Sequence, residues 1–284
     1  MNKIAIVTDT DSSLPPELAA QYGIYLVPIN VHFGQECFES GVDIDEIALF
    51  ERVDREQKLP TTSAPTPGKF LEIYHRAFDD GADEVLCFCV SSEISATYTA
   101  ALAACEGIPD APITVVDSRN ISMGQGFMAL EAAKAVQSGA SCEEAIAAAQ
   151  HVCERTHTYA ALATLKYLAM SGRVSRLTAG MANLLDVRPI LTMQDGKLDM
   201  LEKVRTRRKA WGRIIEHIAQ SADGKAIEQL AFIHVNAAED VQKLEGQLRE
   251  VVACPETAVV ANFTAGLSVH TGAGLVGIIV VTAP

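Results

Sequence analysis

The chain has 284 residues, 49% of them apolar and 21% charged, which is ordinary globular composition with room for two domains and a core that needs no staples. Lys and Arg number 23 against 36 Asp and Glu, a net charge of −13. A surface that acidic repels phosphate backbones and anionic lipid, which argues against nucleic-acid binding and membrane-surface anchoring.

The opening apolar run Ile4–Val7 is stopped by Asp9 and Asp11, too short for a signal h-region, and no stretch of 18 apolar residues suggests a membrane span. Seven cysteines, an odd number mostly in apolar or Ala-rich runs, read as reduced thiols in a cytoplasmic protein. Cys87 and Cys89 share one side of an apparent buried strand, which favours core packing over metal ligation. With no CxxC pair and no HExxH, no metal site is expected.

In chain order, Ile4–Val7 reads as a strand, and Pro15-Pro16-Glu17 opens a helix to about Tyr22. Tyr25–Val31 reads as a second strand and Ile44–Val53 as a helix. The Thr, Ser and Pro residues of Pro60–Pro67 read as a loop before a helix over Gly68–Phe78. Val85–Val90 is a continuous apolar run, as in a strand buried on both faces. Ser91–Ser95 leads into a helix through Ala104, Ile113–Val116 is a strand, and Ala-rich helices follow over 122–138 and 142–156. This βαβα rhythm predicts a Rossmann-like parallel sheet flanked by helices.

The second half reads differently. A strand is expected over Tyr159–Thr164, a helical turn around Leu168 and a helix over 174–186. Pro189–Met193 and Leu198–Val204 flank Gln194-Asp195-Gly196-Lys197, a hairpin signal. Helices over Arg207–Ser221 and Ala238–Val252 alternate with strands at Leu230–Val235, Val259–Phe263 and Leu275–Val281. The fold class is therefore α/β with two domains, an N-terminal parallel-sheet domain over 1–158 and a C-terminal mixed-sheet domain over 159–284.

In open parallel sheets, ligands bind beyond the carboxyl ends of the strands. Polar residues cluster there: Thr8–Ser13, the 61–63 region, Ser91-Ser92-Glu93 and Asp117–Asn120. Ser, Thr and Asp also serve as helix caps and turn formers, but several clusters at one sheet edge favour a site. Asp9 and Asp11 after an apolar strand match the paired carboxylates of magnesium-dependent phosphatases, which sets that activity as the alternative. Asp79-Asp80-Gly81, the nearest candidate for further metal ligands, sits at a helix end.

Gly266–Gly274 surrounds His270 with glycines and suggests an imidazole at a loop tip, open to a ligand or to a structural role. Ser122-Met123-Gly124-Gln125-Gly126 looks like half a phosphate loop without its Lys-Ser/Thr. The basic run Lys203–Lys209 reads either as a solvated helix start or as a docking surface.

Taken in order, these segments resemble the DegV family of bacterial lipid-binding proteins over nearly the whole chain. The blocks are Val7-Thr8-Asp9-Thr10-Asp11-Ser12, Thr62-Ser63-Ala64-Pro65-Thr66-Pro67 and Ser91-Ser92-Glu93-Ile94-Ser95-Ala96-Thr97-Tyr98. Val116-Asp117-Ser118, Met123-Gly124-Gln125-Gly126, Leu165–Val174 and Arg188-Pro189-Ile190-Leu191 continue them. Gly196-Lys197-Leu198 with Lys203–Arg207, and His270-Thr271-Gly272-Ala273-Gly274, complete the set. Ala64 and Ala96 depart from the family's Gln and Gly.

The resemblance implies a long-chain fatty acid, palmitate for example, bound between the two α/β domains, with no cofactor and no catalysis by this chain. It implies Ser63 and Ser95 at the carboxylate, Thr62 and Ser92 close by, and His270 near the same headgroup. It further implies presentation of that carboxylate to a separate ATP-dependent fatty-acid kinase, for which Arg205, Arg207 and Arg208 are the candidate docking residues. Leu168, Met170, Leu184, Leu185 and Ile190 could line a tail channel or belong to ordinary core.

Overall fold

The computed structural model describes residues 2–171 and 187–284. The helix expected over 174–186, with Leu184 and Leu185, lies outside them. The chain divides into two compact units, one of residues 1–44 and 60–154, the other of residues 45–59 and 155–284. The excursion 45–59, which the sequence reading leaves in the N-terminal domain, thus packs with the second unit.

The first unit is built on a parallel sheet in the order β2-β1-β6-β7, with β1 Ile4–Asp9, β2 Tyr25–Val27, β6 Glu84–Cys89 and β7 Ile113–Asp117. Between them come α1 Pro16–Tyr22, α3 Pro67–Asp79 and α4 Thr97–Cys105, then α5 Met123–Gln137 and α6 Cys142–Glu154. Helices α3 and α4 pack together on β6, while α5 packs on β1 and against α6. The helix starts follow local rules: Pro16 opens α1, and Thr66 caps α3 by accepting the Lys69 N–H at 3.2 Å. The core gathers Phe70, Tyr74, Cys87, Cys89 and Ala101.

The strand expected over Tyr25–Val31 is two strands in two sheets. Pro28 has no N–H to give to a ladder, so β2 ends at Val27. The Ile29 N–H turns instead to Thr10 Oγ1 at 3.0 Å. The chain then enters a separate antiparallel sheet, β4-β3-β5, of β3 Asn30–Phe33, β4 Glu36–Glu39 and β5 Thr61–Ser63. The segment read as a Pro-rich loop therefore contains a strand.

The second unit holds a mixed six-stranded sheet, β10-β9-β8-β13-β11-β12. Its strands are β8 Thr156–Ala161, β9 Arg188–Gln194, β10 Lys197–Val204, β11 Ile227–His234, β12 Val259–Asn262 and β13 Val276–Thr282. The hairpin between β9 and β10 turns at Asp195 and Gly196, both with positive φ as a type I′ turn requires. Helices α8 Arg207–Ala222 and α9 Ala238–Val251 bury Trp211, Ile214, Leu244 and Leu248 against Phe232 and Ile278. The excursion carries α2 Glu46–Glu56, capped by Asp45, which packs on α10 Ala265–Thr271. A short α7, Lys166–Ser171, also packs on α10. Among the described residues no helix is long and apolar enough to cross a membrane.

Candidate functional site

The parallel sheet has its topological switch point between β1 and β6, since β1 connects onward to β2 on one side and β6 to β7 on the other. At such a point the connecting loops part and leave a crevice beyond the strand ends. Asp9 closes β1 there. Its Oδ1 accepts the Asp11 N–H at 2.9 Å, and its Oδ2 accepts the Val90 N–H at 2.8 Å and Gln125 Nε2 at 3.0 Å. Asp9 is wholly buried, and burial pushes its carboxyl up to about 6 against the three hydrogen bonds that favour the ion. Asp11, in the 3-10 turn Thr10–Ser12, is pushed up as well, by burial first and by the neighbouring Asp9 second.

Two segments are anchored here, one on Asp9 and one on the turn after it. One begins at Val90 on Asp9. Ser91 N–H donates to Asn120 O at 2.9 Å, and Ser95 N–H to Ser91 O at 3.1 Å. The Ser95 hydroxyl lies 2.8 Å from Thr97 Oγ1 and is half-buried. The other segment begins at Ile29 on Thr10 and carries β3, which pairs with β5 so that Asn30 faces Ser63. Ser63 is exposed, with its Oγ 2.9 Å from His32 Nε2 and 3.4 Å from Asn30 Nδ2. His32 and Asn30 are partners of Ser63 that the sequence reading did not name. The signal was alternation: once 30–33 is a strand, residues 30 and 32 share the face of their cross-strand partner.

The same alternation separates Thr62 from Ser63. Neighbouring strand residues project to opposite faces, and Thr62 pairs in register with Val31, so it does not share the Ser63 face. Ser92 is exposed but committed: its hydroxyl donates to Asp117 Oδ2 at 2.5 Å and its N–H to Asp117 Oδ1 at 3.2 Å.

His270 belongs to the second unit. It stands in α10 and not at a loop tip, because residues 265–269 are buried and helical. The helix stops at Gly272, whose φ of +76° and 2.3 Å approach of a would-be Cβ to the Tyr167 ring leave room for glycine alone. Of the expected tail-lining residues, Ile190 sits in the core of the second unit, Leu168 is buried and Met170 is 66% exposed. In the basic run, Arg205 and Arg208 are exposed. Arg207 is engaged by Asp240 and lies over the Trp211 ring, 5.5 Å from its centroid.

The described residues do not assemble the phosphatase geometry. A carboxylate nucleophile must reach its substrate, whereas Asp9 is buried and already accepts three donors. Asp80 accepts the Tyr25 hydroxyl at 2.8 Å, far along the chain at a helix end. Among the described residues no three of His, Cys, Asp or Glu gather as a metal ion would need. Cys87 and Cys89 lie with their sulfurs 3.8 Å apart inside the core.

A parallel sheet with a hydroxyl-lined switch point, on a chain with a second, mixed-sheet unit, defines a two-unit α/β protein whose polar edge suits a small anion. Residues 3–283 match the family model described as "Uncharacterised protein, DegV family", and the chain belongs to the DegV family. A DegV domain-containing protein of Halalkalibacterium halodurans is 33% identical over 278 residues, 98% of each chain. Among solved structures, the fold is similar to a DegV family protein from Thermus thermophilus described for its fatty-acid binding, with a TM-score of 0.91 and 28% identity over 99% of this chain and 100% of that one. It is similar also to DegV of Bacillus subtilis, described as a fatty acid binding protein, with a TM-score of 0.88 and 30% identity over all of both chains.

Proposed function

We propose that the protein binds a long-chain fatty acid and holds its carboxylate at the polar edge of the first unit. The observation that carries this reading is the pair Ser63 and Ser95: Ser95 follows Val90, whose N–H is held by Asp9 at the end of β1, and Ser63 lies on β5, whose partner strand β3 follows Ile29, held by Thr10 in the next turn. Hydroxyl donors can hold a carboxylate without a metal, and His32 beside Ser63 offers a further N–H. The family and the fatty-acid-binding neighbours support the same ligand.

The energetics assign the two ends of the ligand different tasks. An alkyl chain gains about 0.8 kcal/mol per buried methylene, so a tail of roughly fifteen methylenes gains on the order of 12 kcal/mol gross. Association and chain ordering offset several of these. The tail therefore supplies affinity, and the hydroxyls decide which end lies at the polar edge.

We also read the chain as a cytoplasmic carrier that presents the carboxylate to a separate ATP-dependent fatty-acid kinase. Supporting that reading, Arg207, Arg208 and Lys209 occupy the first turn of α8, where the helix dipole disfavours cations, and Arg205 and Arg208 are exposed. A sequence that breaks a local rule at its surface suits a docking role. Arg207 is tied to Asp240, so the informative variant reverses Arg205 and Arg208 to Glu. It should slow partner-dependent acyl-phosphate formation and leave palmitate binding intact.

The test of the main reading is organic extraction of the purified protein, followed by mass spectrometry and titration of stripped protein with palmitate. Near-equimolar fatty acid, or uptake of one palmitate per chain, is expected. Extracts without fatty acid, from protein that also fails to take up palmitate, would overturn it.

A further inference from the structure

The buried carboxylate at the switch point has no direct part in the ligand contacts described above, yet its partners span three elements. Gln125, in the first turns of α5, donates from Nε2 toward Asp9 Oδ2 at 3.0 Å, Thr8 Oγ1 at 2.9 Å and Phe88 O at 3.3 Å. The Thr8 hydroxyl donates to Phe88 O at 2.9 Å, so the ends of β1, β6 and α5 are joined by one polar cluster. The cluster is closed just ahead of α5 as well, where Ser122 N–H donates to Asp11 O at 2.8 Å.

Asp9 is the acceptor on which three donors converge. Two of them, the Asp11 and Val90 N–H groups, are backbone and cannot turn away. Gln125 is held in its orientation, because a flipped amide would set its oxygen against Phe88 O. An amide at position 9 could match its oxygen to only one side, and its NH2 would meet an N–H on the other. A carboxylate is thus required by donor geometry, and Val90 is the residue from which the Ser91–Ser95 turn departs.

We propose that Asp9 is a positioning residue for the ligand: its carboxylate fixes the origin of the 90–95 turn and so sets where Ser95 presents its hydroxyl. This rests on the headgroup reading given above. It also accounts for a buried carboxylate that a folding argument alone would replace with an apolar residue.

The test is a double-mutant cycle in palmitate affinity with Asp9→Asn and Ser95→Ala. Asp9→Asn should weaken palmitate binding about tenfold, and Ser95→Ala about ten- to a hundredfold. The double variant should bind no more weakly than Ser95→Ala alone, because Asp9 acts through that hydroxyl. Losses that multiply in the double variant would overturn the proposal while leaving the headgroup reading in place. An inert Ser95→Ala would overturn both. Should Asp9→Asn fail to fold, Gln125→Leu removes one donor from the same carboxylate, and its loss of about threefold should vanish in the Ser95→Ala background. Amide exchange gives a second readout: Val90 should exchange slowly in wild type and faster in either variant, with Phe232 in the other unit unchanged. A Val90 amide already fast in wild type would contradict the clamp.

Discussion

Asp9 in the first unit and Glu202 in the second are carboxylates in opposite settings. Asp9 is buried at a sheet end, and desolvation raises it to about 6. Glu202 lies on β10 and is lowered to about 2, chiefly by hydrogen bonds from Arg213, whose Nε reaches both of its oxygens at 2.9 Å, and further by His217. His217 in turn stacks on Tyr159, with ring centroids 5.3 Å apart. The contrast extends to the surroundings. The first unit buries Ser12, Ser13, Ser91, Ser118, Asn120, Ser122 and Gln125 around its sheet edge, while the second fills its core with Trp211, Ile214, Phe232 and Ile278. Burying polar groups costs free energy unless each is paired, and the first unit concentrates that cost at its sheet edge. The second unit keeps its ionic network at the surface, where it contributes modestly to stability.

Breaking the apolar side of this contrast has the largest effect. Phe232→Ala should cost about 3–5 kcal/mol in urea unfolding, because Phe232 is fully buried and its neighbours on β11 and β13 cannot collapse into the space. A loss below about 1 kcal/mol would mean that this core is not packed as described.

The two carboxylates predict opposite pH responses. Asp9 binds its proton more tightly when folded, so its favourable contribution is complete below about pH 4 and is lost as pH rises through about 6, a change of about 3 kcal/mol for Asp9 itself, with Asp11 shifted in the same direction. Stability of wild type relative to Asp9→Asn should therefore fall between pH 4 and 6.5. Glu202 has the other sign: its contribution is present above about pH 4.5 and is lost as pH falls toward 2, so Glu202→Gln should differ from wild type at pH 7 and converge with it at pH 2. Parallel slopes for the two pairs would remove the distinction. A smaller effect is expected at the end of α10, where Gly272→Ala forces a Cβ toward the Tyr167 ring at positive φ and should cost about 1–3 kcal/mol in thermal melts.

How far the sequence reached depends on the kind of signal. Strands β1, β6 and β7 and the Asp195-Gly196 hairpin were legible because an apolar run or a turn dipeptide states them locally. The break at Pro28 was legible in principle, since proline cannot sit in a ladder, but a run of apolar residues on both sides masked it. Residues 61–63 offered no apolar pattern at all; they are a strand because β3 offers them a partner, which is tertiary information. That one element puts His32 on the face of Ser63 and Thr62 on the other. Glycines around His270 suggested a loop, whereas Ala265–Thr271 is helical and the positive-φ glycines, Gly272 and Gly274, come only after it. Arg207 looked free for docking because nothing in the sequence joins it to Asp240, 33 residues on.

The most direct measurement is a titration of the double variant Ser63→Ala plus Ser95→Ala with a fluorescent fatty acid, beside Glu202→Gln as the second-unit control. One neutral donor to a carboxylate contributes roughly 1.5–3 kcal/mol in the strongest case. The double variant should thus remain folded and lose at least tenfold, and up to several hundredfold, in affinity, short of the product of the single losses because both hydroxyls share one headgroup. Glu202→Gln should bind as wild type does. A folded double variant with unchanged affinity would contradict the account and move the carboxylate away from the polar edge of the first unit.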